Sequence, residues 1–306
     1  MATPWDQAYK HIIPLDFSSV KSVPDSFVWS QSDVIQPDNG LFIPVIDLMD
    51  SNAPKLIVEA CETWGVFQLK NHGVPTKITE DIESEARKLF DLPIDQKLKA
   101  VRSPDGLSGY GIVPMQSLFS TFMWHEGLTV FGSAIDHAKA LLPHDYQQFS
   151  DTIDEYQSQM KALAEKLNSY PPCPEPTRTL GLAPHTDTSI VTILQAKTSG
   201  LQVFKEGVGW IPVEPEPKAI IVNLGDFTHL LSNGRFISVL HRVVVKPIQR
   251  YSVGYFYRPP TDFVVSPLLS KDLGPGEVPR YRSIIAKEYH ERKAKHNEKA
   301  FSLIEN

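Results

Sequence analysis

Two histidines and one aspartate in the second half of the chain are residue types that commonly bind metals. His185 and Asp187 lie two positions apart in LAPHTDTS, and His241 follows in FISVLHRVVV. Two imidazoles and one carboxylate, with coordination positions left open, form the facial ligand set of non-haem Fe(II). The chain has 10 histidines, so a His-x-Asp pair alone is expected by chance. The hypothesis therefore depends on whether the fold brings His241 to this pair.

The alternation of side-chain directions along β-strands favours a site in which these three residues face one another. Side chains two positions apart on an extended strand point to the same face, so His185 and Asp187 would share one. His241 would lie on the same face as Val239 and Val243, which we expect to be the inner face of a barrel. A hydrogen-bonded core histidine is the simpler alternative for His241.

A second pair with the same spacing follows at Arg250 and Ser252. A guanidinium group binds a carboxylate through two parallel hydrogen bonds, and a hydroxyl can add a third. The pair therefore predicts a site for an organic acid, although an arginine at a strand end can also be an ordinary surface residue. Asn168 and Tyr170 alternate in the same way, and they either assist the acid site or simply begin a strand.

The elements that must position these residues differ between the two halves of the chain. Apolar spacing predicts helices over Ala53–Trp64, over Thr76–Phe90 with Thr76 as the N-cap, and over Pro143–Leu167. A short strand is expected within residues 65–74. The second half has short β-branched and aromatic segments, which predict an antiparallel barrel or double sheet. They span residues 190–195, 200–205, 209–213, 219–225, 236–245 and 251–259, and a helix is expected again over Tyr281–Ile304.

The composition is that of a globular protein with a substantial core. Of the 306 residues 42% are hydrophobic and 22% charged, and the net charge is −6. No basic cluster accompanies a nucleic-acid motif, so neither a nucleic-acid partner nor an anionic membrane surface is expected. Two cysteines, Cys61 and Cys173, are too few for a disulfide framework. The N-terminus has no apolar run of signal-peptide length, and we therefore expect a cytoplasmic protein.

Several segments together resemble the plant 2-oxoglutarate- and Fe(II)-dependent dioxygenases. They are HTD at 185–187, His241, Arg250-Tyr251-Ser252, NSYPPCPEP at 168–176 and NHGVP at 71–75. Three further segments look like the gibberellin 3-beta-dioxygenase branch: SPDGLSGYG, MWHEGLTVFG and IPLDFSSVKSVPDSFVW. The resemblance implies an α+β fold, with a double-stranded β-helix (jelly roll) core and flanking helices that are mainly N-terminal.

The resemblance also implies roles for individual residues. It places Fe(II) on His185, Asp187 and His241. It places the distal carboxylate of 2-oxoglutarate on Arg250 and Ser252, with help from Tyr170 and Asn168. The implied reaction uses O2, with ascorbate as reductant, to hydroxylate a gibberellin at C3, releasing succinate and CO2. Candidate substrate contacts are Phe119, Trp124 and Phe256, each of which could equally be core.

The chain divides, on this resemblance, into an N-terminal region (1–160), a jelly-roll domain (161–262) and a C-terminal helical tail (263–306). It departs from the family between Leu167 and Asn168, where relatives carry the rest of a helix, a loop and a strand. One alternative is therefore a truncated relative without catalytic activity. Others are a dioxygenase acting on another gibberellin carbon or on a flavonoid, or a zinc or manganese cupin-like isomerase or hydrolase. The Arg250-x-Ser252 pair argues against the last.

Overall fold

Two facing β-sheets form the centre of the structure, a computed structural model that describes residues 15–17, 19–34, 40–103, 106, 108–112, 114–160, 164–268 and 278–306. Its strands, in chain order, are β1 (Val45–Asp47), β2 (Val66–Lys70), β3 (Gly109–Gly111), β4 (Glu126–Phe131), β5 (Ala164–Tyr170), β6 (Leu180–His185), β7 (Val191–Ala196), β8 (Leu201–Lys205), β9 (Gly209–Pro212), β10 (Ile220–Leu224), β11 (His241–Val244), β12 (Arg250–Tyr257), β13 (Val264–Val265) and β14 (Ile284–Ile285).

The helices flank these sheets. In chain order they are α1 (Gln31–Val34), α2 (Ala53–Thr63), α3 (Thr76–Phe90), α4 (Ile94–Lys97), α5 (Ile135–Leu141), α6 (Tyr146–Met160), α7 (Asp226–Leu231) and α8 (Ala286–His296). Short 3-10 turns lie at Asp25–Phe27, Leu98–Ala100, Pro114–Leu118, Pro176–Arg178 and Asn297–Ala300. None of the helices in the described ranges has the length and apolar character needed to cross a membrane.

The larger sheet has eight strands in the order β1-β2-β10-β7-β12-β5-β4-β3, and the smaller has four in the order β6-β11-β8-β9. Apolar side chains from both sheets meet in one buried cluster: Val66, Tyr170 and Ile221 come from the larger sheet, and Leu182, Val203 and Val243 from the smaller. This arrangement is the predicted α+β jelly roll with flanking helices. Strands from residues before 160 join the larger sheet, and the division of the chain at 160/161 and 262/263 stays a prediction.

Helices α3 and α6 cover the outer face of the larger sheet. Ile78, Ile82, Ala86 and Leu89 are buried at the predicted helical spacing, and they join Ile153 of α6 in a single core cluster. The bounds predicted for α3 are confirmed, but Thr76 is the first helical residue, and Pro75 precedes it without a side-chain cap. The helix predicted to run to Trp64 ends at Thr63.

The helix predicted over Pro143–Leu167 is wrong at both ends. It begins at Tyr146 and ends at Met160, and residues 161–163 lie outside the described part of the chain. Ala164 to Leu167 are extended, because they continue strand β5 between β4 and β12, where Leu167 pairs with Leu128 and Val253. The backbone hydrogen bonds of a central strand therefore override the helical preference of this segment.

Two other predicted elements are shorter than expected. In FISVLHRVVV only His241 to Val244 form a strand, because the residues before His241 leave the sheet. The C-terminal helix covers Ala286–His296 rather than Tyr281–Ile304, since Tyr281 bridges to Glu305 and Ile284 pairs with Val265. Cys61 and Cys173 are both buried free thiols.

Acid should destabilise the metal-free protein as the pH falls below about 6.5. Burial lowers the pKa of four histidines away from the predicted metal ligands: His125, His137, His229 and His290. The unfolded chain binds protons at these positions near its ordinary pKa of 6.5, whereas the native chain does not. Their contribution is therefore complete above that pH and is lost below it.

The free energy of unfolding in urea should reveal this loss when it is measured at about pH 7.5 and about pH 5.5. His125 is only 1% exposed, and a histidine held neutral in this way costs up to about 1.4 kcal/mol per pH unit. His125→Asn should reduce the difference between the two conditions. Equal or greater stability at the lower pH would contradict the expectation.

Candidate active site

The three predicted metal ligands meet at one end of the smaller sheet. His185 is the last residue of β6, and it lies directly opposite His241, the first residue of β11, in antiparallel register. Asp187 lies two residues beyond the end of β6 rather than on the strand itself. The chain turns there toward the larger sheet, so the carboxylate faces both imidazoles.

Distances among the donor atoms are those of a metal site. Asp187 Oδ1 lies 3.6 Å from His185 Nε2 and 3.8 Å from His241 Nε2. One donor atom from each of the three residues lies within 4.8 Å of the others. The two imidazole rings are 4.2 Å apart, centre to centre. One small ion between these atoms would touch all three residues.

Hydrogen bonds fix which imidazole nitrogens face this centre. His185 Nδ1 lies 2.8 Å from the Ala183 carbonyl, and His241 Nδ1 lies 3.1 Å from the Val239 carbonyl. A carbonyl only accepts, so each Nδ1 carries the proton and each Nε2 presents a lone pair. Burial, with the charge of His241, lowers the pKa of His185 to about 3. His185 is therefore in the neutral form that a metal ligand requires.

Two hydrogen bonds orient the Asp187 carboxylate. Its Oδ2 accepts from Thr192 Oγ1 at 2.7 Å and from Asn223 Nδ2 at 2.8 Å, which leaves Oδ1 for a metal. Burial alone would raise the pKa of Asp187, but His241 and His185 and these two donors lower it to about 2. Two imidazoles whose Nε2 atoms face the centre, one ionised carboxylate and an open side toward a cavity fit Fe(II).

Removal of the Thr192 hydroxyl should weaken metal binding without unfolding the chain. We expect Thr192→Val to lower the affinity for Fe(II) by about 10- to 100-fold, the usual cost of losing a hydrogen bond that orients a metal ligand. Titration of the anaerobic protein with Fe(II) measures this, and Thr192→Ser should restore binding. Thr179→Val is the matched control, because the Thr179 hydroxyl is buried without a hydrogen-bond partner among the described residues. Equal affinities for Thr192→Val and Thr179→Val would refute the role of Thr192.

The predicted acid site lies on the larger sheet, facing the metal ligands. Arg250 begins β12 and pairs with Tyr170 of β5, while Ser252 pairs with Asn168, so the four side chains share one face. Arg250 Nη1 donates to Ser252 Oγ at 3.4 Å, and the Arg250 guanidinium lies 4.9 Å from the centre of the Tyr170 ring. Asn168 Nδ2 donates to the same hydroxyl at 3.5 Å.

The burial and the hydrogen bonds of Arg250 are those expected of a carboxylate-binding residue. It is 2% exposed, and its Nε donates to the Thr198 carbonyl at 3.1 Å. No carboxylate in the described ranges forms an ion pair with it. Gly200, at φ +140°, makes room for this side chain, because a Cβ there would lie 3.1 Å from Arg250 Cδ. A buried guanidinium without an anion is costly, and a bound carboxylate would offset that cost.

A cavity that is open to solvent connects the two groups of residues. Its lining includes His185, Asp187, His241, Arg250 and Phe256. Of the predicted substrate contacts, only Phe256 lines it. Trp124 lies outside this lining: it is fully buried beside Phe27, in the bend before β4, and its Nε1 donates to the Pro171 carbonyl. Phe119 contacts Trp29 and the edge of the central cluster, outside the cavity lining.

The C-terminal helix α8 supports the loop that carries Asp187. Asp226 is fully buried, and its backbone N–H donates to the Asp187 carbonyl at 2.8 Å. The Asp226 carboxylate accepts from Tyr289 at 2.9 Å and forms an ion pair with Lys293 at 3.0 Å. Lys293 also donates to the hydroxyl of Thr186, between two metal ligands. One end of α8 is thus tied to the metal loop through buried polar contacts.

Sequence reasoning missed three residues of this site: Thr192, Asn223 and Lys166. Asn223 stands among the apolar residues of β10, and a polar side chain in such a strand was the available signal. Thr192 gave a weaker signal, since threonine is common in strands. Lys166 gave none, because AEKL was assigned to a helix.

Two family models match most of the chain and agree with this site geometry. Residues 159–259 match the model of the 2OG-Fe(II) oxygenase superfamily, and residues 43–151 match the model described as non-haem dioxygenase in morphine synthesis N-terminal. The chain belongs to the 2OG-Fe(II) oxygenase superfamily, whose members use Fe(II) and 2-oxoglutarate. The resemblance stated from the sequence is confirmed.

Two curated relatives with high identity are gibberellin 3-beta-dioxygenases. The chain is 44% identical to gibberellin 3-beta-dioxygenase 1 of Pisum sativum, over 94% of this chain and 88% of the relative. It is 40% identical to gibberellin 3-beta-dioxygenase 1 of Arabidopsis thaliana, over 95% of this chain and 93% of the relative. The pea alignment spans 332 positions. Because 94% of 306 residues is about 288, about 44 positions have no residue in this chain.

Solved structures agree in fold. JOX2, crystallised in complex with 2OG, Fe and JA, superposes with a TM-score of 0.74 and 29% identity, over 89% of each chain. A rice dioxygenase for auxin oxidation superposes with a TM-score of 0.71 and 26% identity, over 86% of this chain and all of the other. The jelly roll is therefore shared with enzymes of the superfamily.

Proposed function

We propose that the protein is a 2-oxoglutarate-dependent dioxygenase that hydroxylates a gibberellin at C3, with succinate and CO2 as coproducts. The observation that carries the chemistry is the pairing, in one cavity, of the 2-His-1-carboxylate triad with Arg250, a buried cation to which no described carboxylate is paired. The choice of substrate rests on the 40–44% identity to gibberellin 3-beta-dioxygenases. Ascorbate acts as the reductant, and the protein works in the cytoplasm.

Each group of residues has a separate task in this proposal. His185, Asp187 and His241 hold Fe(II), which supplies the oxidation of an unactivated C–H bond by O2. Arg250 and Ser252 bind the distal carboxylate of 2-oxoglutarate, with Tyr170 and Asn168 beside them. Phe256 and the apolar side chains of both sheets exclude water and accommodate a hydrocarbon substrate.

The test is incubation with a panel of gibberellins, Fe(II), ascorbate and 2-oxoglutarate, with products identified by mass spectrometry. The expected result is a gibberellin with one added oxygen at C3, together with one succinate per product. A product oxidised at another carbon, or turnover of a flavonoid instead, would replace the substrate assignment. Folded, iron-loaded protein without succinate release would overturn the reaction itself and support the truncated, non-catalytic alternative.

A further inference from the structure

Lys166 lies inside the cavity, at a position where the sequence places a helix. In β5 it pairs with Gly254 of β12 and Thr129 of β4. It is two residues before Asn168 and therefore on the same face of the strand. Both side chains line the cavity. The extension of β5 through Ala164–Leu167 thus turns a lysine toward the site.

The Lys166 amine is unpaired within the part of the chain that the structure describes. Among the described residues none donates to it, accepts from it or forms an ion pair with it. Burial lowers the pKa of Lys166 to about 7, and only Asp187 opposes this effect. Asp187 is committed to the metal site and to its hydrogen bonds with Thr192 and Asn223. Among the described residues, the ammonium form of Lys166 therefore has no carboxylate of its own to pair with.

Two arginines add to the positive charge around Lys166. The charges of Arg102 and Arg258 both act on its amine. Arg102 is 8% exposed, and the Nε of Arg258 is buried without a hydrogen-bond partner among the described residues. No ion pair within the described ranges involves either guanidinium. Lys166 and these two arginines, none of which forms an ion pair among the described residues, are called the cation cluster below.

The cation cluster is separate from the site for the distal carboxylate of 2-oxoglutarate. Arg250 is four residues from Gly254 on β12, and Tyr170 is four residues from Lys166 on β5. At about 3.3 Å per residue, the two positions are about 13 Å apart along the strands. Gly254 opposite Lys166 has no side chain, and the Phe256 ring packs over it, since a Cβ there would lie 3.3 Å from Phe256 Cε2.

We propose that Lys166 binds the carboxylate of the organic substrate and restricts the enzyme to carboxylic acids, with Arg102 and Arg258 adding to the positive charge. The inference rests on the proposed function, since a gibberellin is a diterpenoid acid. The ammonium group then fixes one end of a mostly apolar molecule while the apolar lining holds the rest. A charge-assisted hydrogen bond in a site that excludes water suits this task.

The test compares a gibberellin that lacks the 3-hydroxyl, as free acid and as methyl ester, on wild type and Lys166→Gln. Binding is measured by calorimetry on protein loaded with 2-oxoglutarate and redox-inert Mn(II), and turnover on the Fe(II) enzyme. Wild type should bind the acid about 10- to 100-fold more tightly than the ester. Lys166→Gln should lose that preference and leave the KM for 2-oxoglutarate unchanged. Lys166→Arg should retain it.

Lys55→Gln is the matched control, because it removes the same charge from an exposed helix position away from the cavity. Equal binding of acid and ester by wild type would overturn the inference even if Lys166→Gln fails to fold. Equal losses for acid and ester in Lys166→Gln would also overturn it, as would an effect confined to the KM for 2-oxoglutarate. If wild type binds and hydroxylates neither compound, the proposed substrate fails as well, which separates the two failures.

Discussion

Asp187→Asn should abolish turnover and remove detectable Fe(II) binding while the chain stays folded. The amide oxygen can take the place of Oδ2 and accept from Thr192 and Asn223. The NH2 group then occupies the position of Oδ1, where it cannot coordinate a cation. One negative charge and one of three ligands are lost, so the effect should exceed the about 10- to 100-fold cost of losing a supporting residue.

The readout is the weak visible charge-transfer band of anaerobic protein with Fe(II) and 2-oxoglutarate. Wild type should show this band, and Asp187→Asn and His185→Ala should not. Asp262→Asn, a change at an exposed position outside the cavity lining, should leave the band unchanged. A normal band in Asp187→Asn would mean that the metal binds elsewhere. Absence of the band from iron-loaded wild type would contradict the enzyme assignment.

Arg250→Gln should raise the KM for 2-oxoglutarate by about two orders of magnitude. The substitution removes the buried cation that pairs with the distal carboxylate, and breaking such a pair typically costs about 2–5 kcal/mol. Gln keeps a hydrogen-bond donor and much of the side-chain volume, so the cavity beside Tyr170 should survive. The loss should appear in binding of the cosubstrate, with little change in affinity for Fe(II).

Steady-state kinetics with 2-oxoglutarate varied at saturating gibberellin measure this effect. Arg250→Lys should give an intermediate KM, because it keeps the charge but not the planar fork. Ser252→Ala should give a smaller rise, since it removes one neutral hydroxyl. Arg235→Gln, which removes an exposed arginine paired with Glu62, is the control. An unchanged KM in Arg250→Gln would place the distal carboxylate elsewhere.

The sequence was sufficient to predict the residues that alternate along a single strand. Arg250 and Ser252 share a face by local geometry alone, and so do Asn168 and Tyr170. His241 could be placed among inward-facing valines for the same reason. The meeting of His241 with His185 required knowledge of which strands are neighbours, and the family resemblance supplied it.

The supporting contacts could not be predicted, because they depend on the order of strands in the sheets. Thr192 and Asn223 reach Asp187 from β7 and β10, which are adjacent to each other in the sheet but 31 residues apart in the chain. The packing of Trp124 against Phe27 could not be predicted either, because an aromatic residue type does not show which distant segment covers it. Lys166 was not predicted as a site residue because the residues around it favour a helix. In the structure, pairing with β4 and β12 overrides this local preference.

The contacts of α8 have a genetic consequence. A stop codon anywhere between positions 263 and 285 would leave every proposed ligand of iron and 2-oxoglutarate encoded. It would nevertheless remove Tyr289 and Lys293, and with them the partners that neutralise buried Asp226 and fix Thr186. An allele of this kind would look intact when inspected for catalytic motifs, yet its product would lack the support of its metal loop. The codons of α8 are therefore part of what the gene must keep in order to encode an iron site.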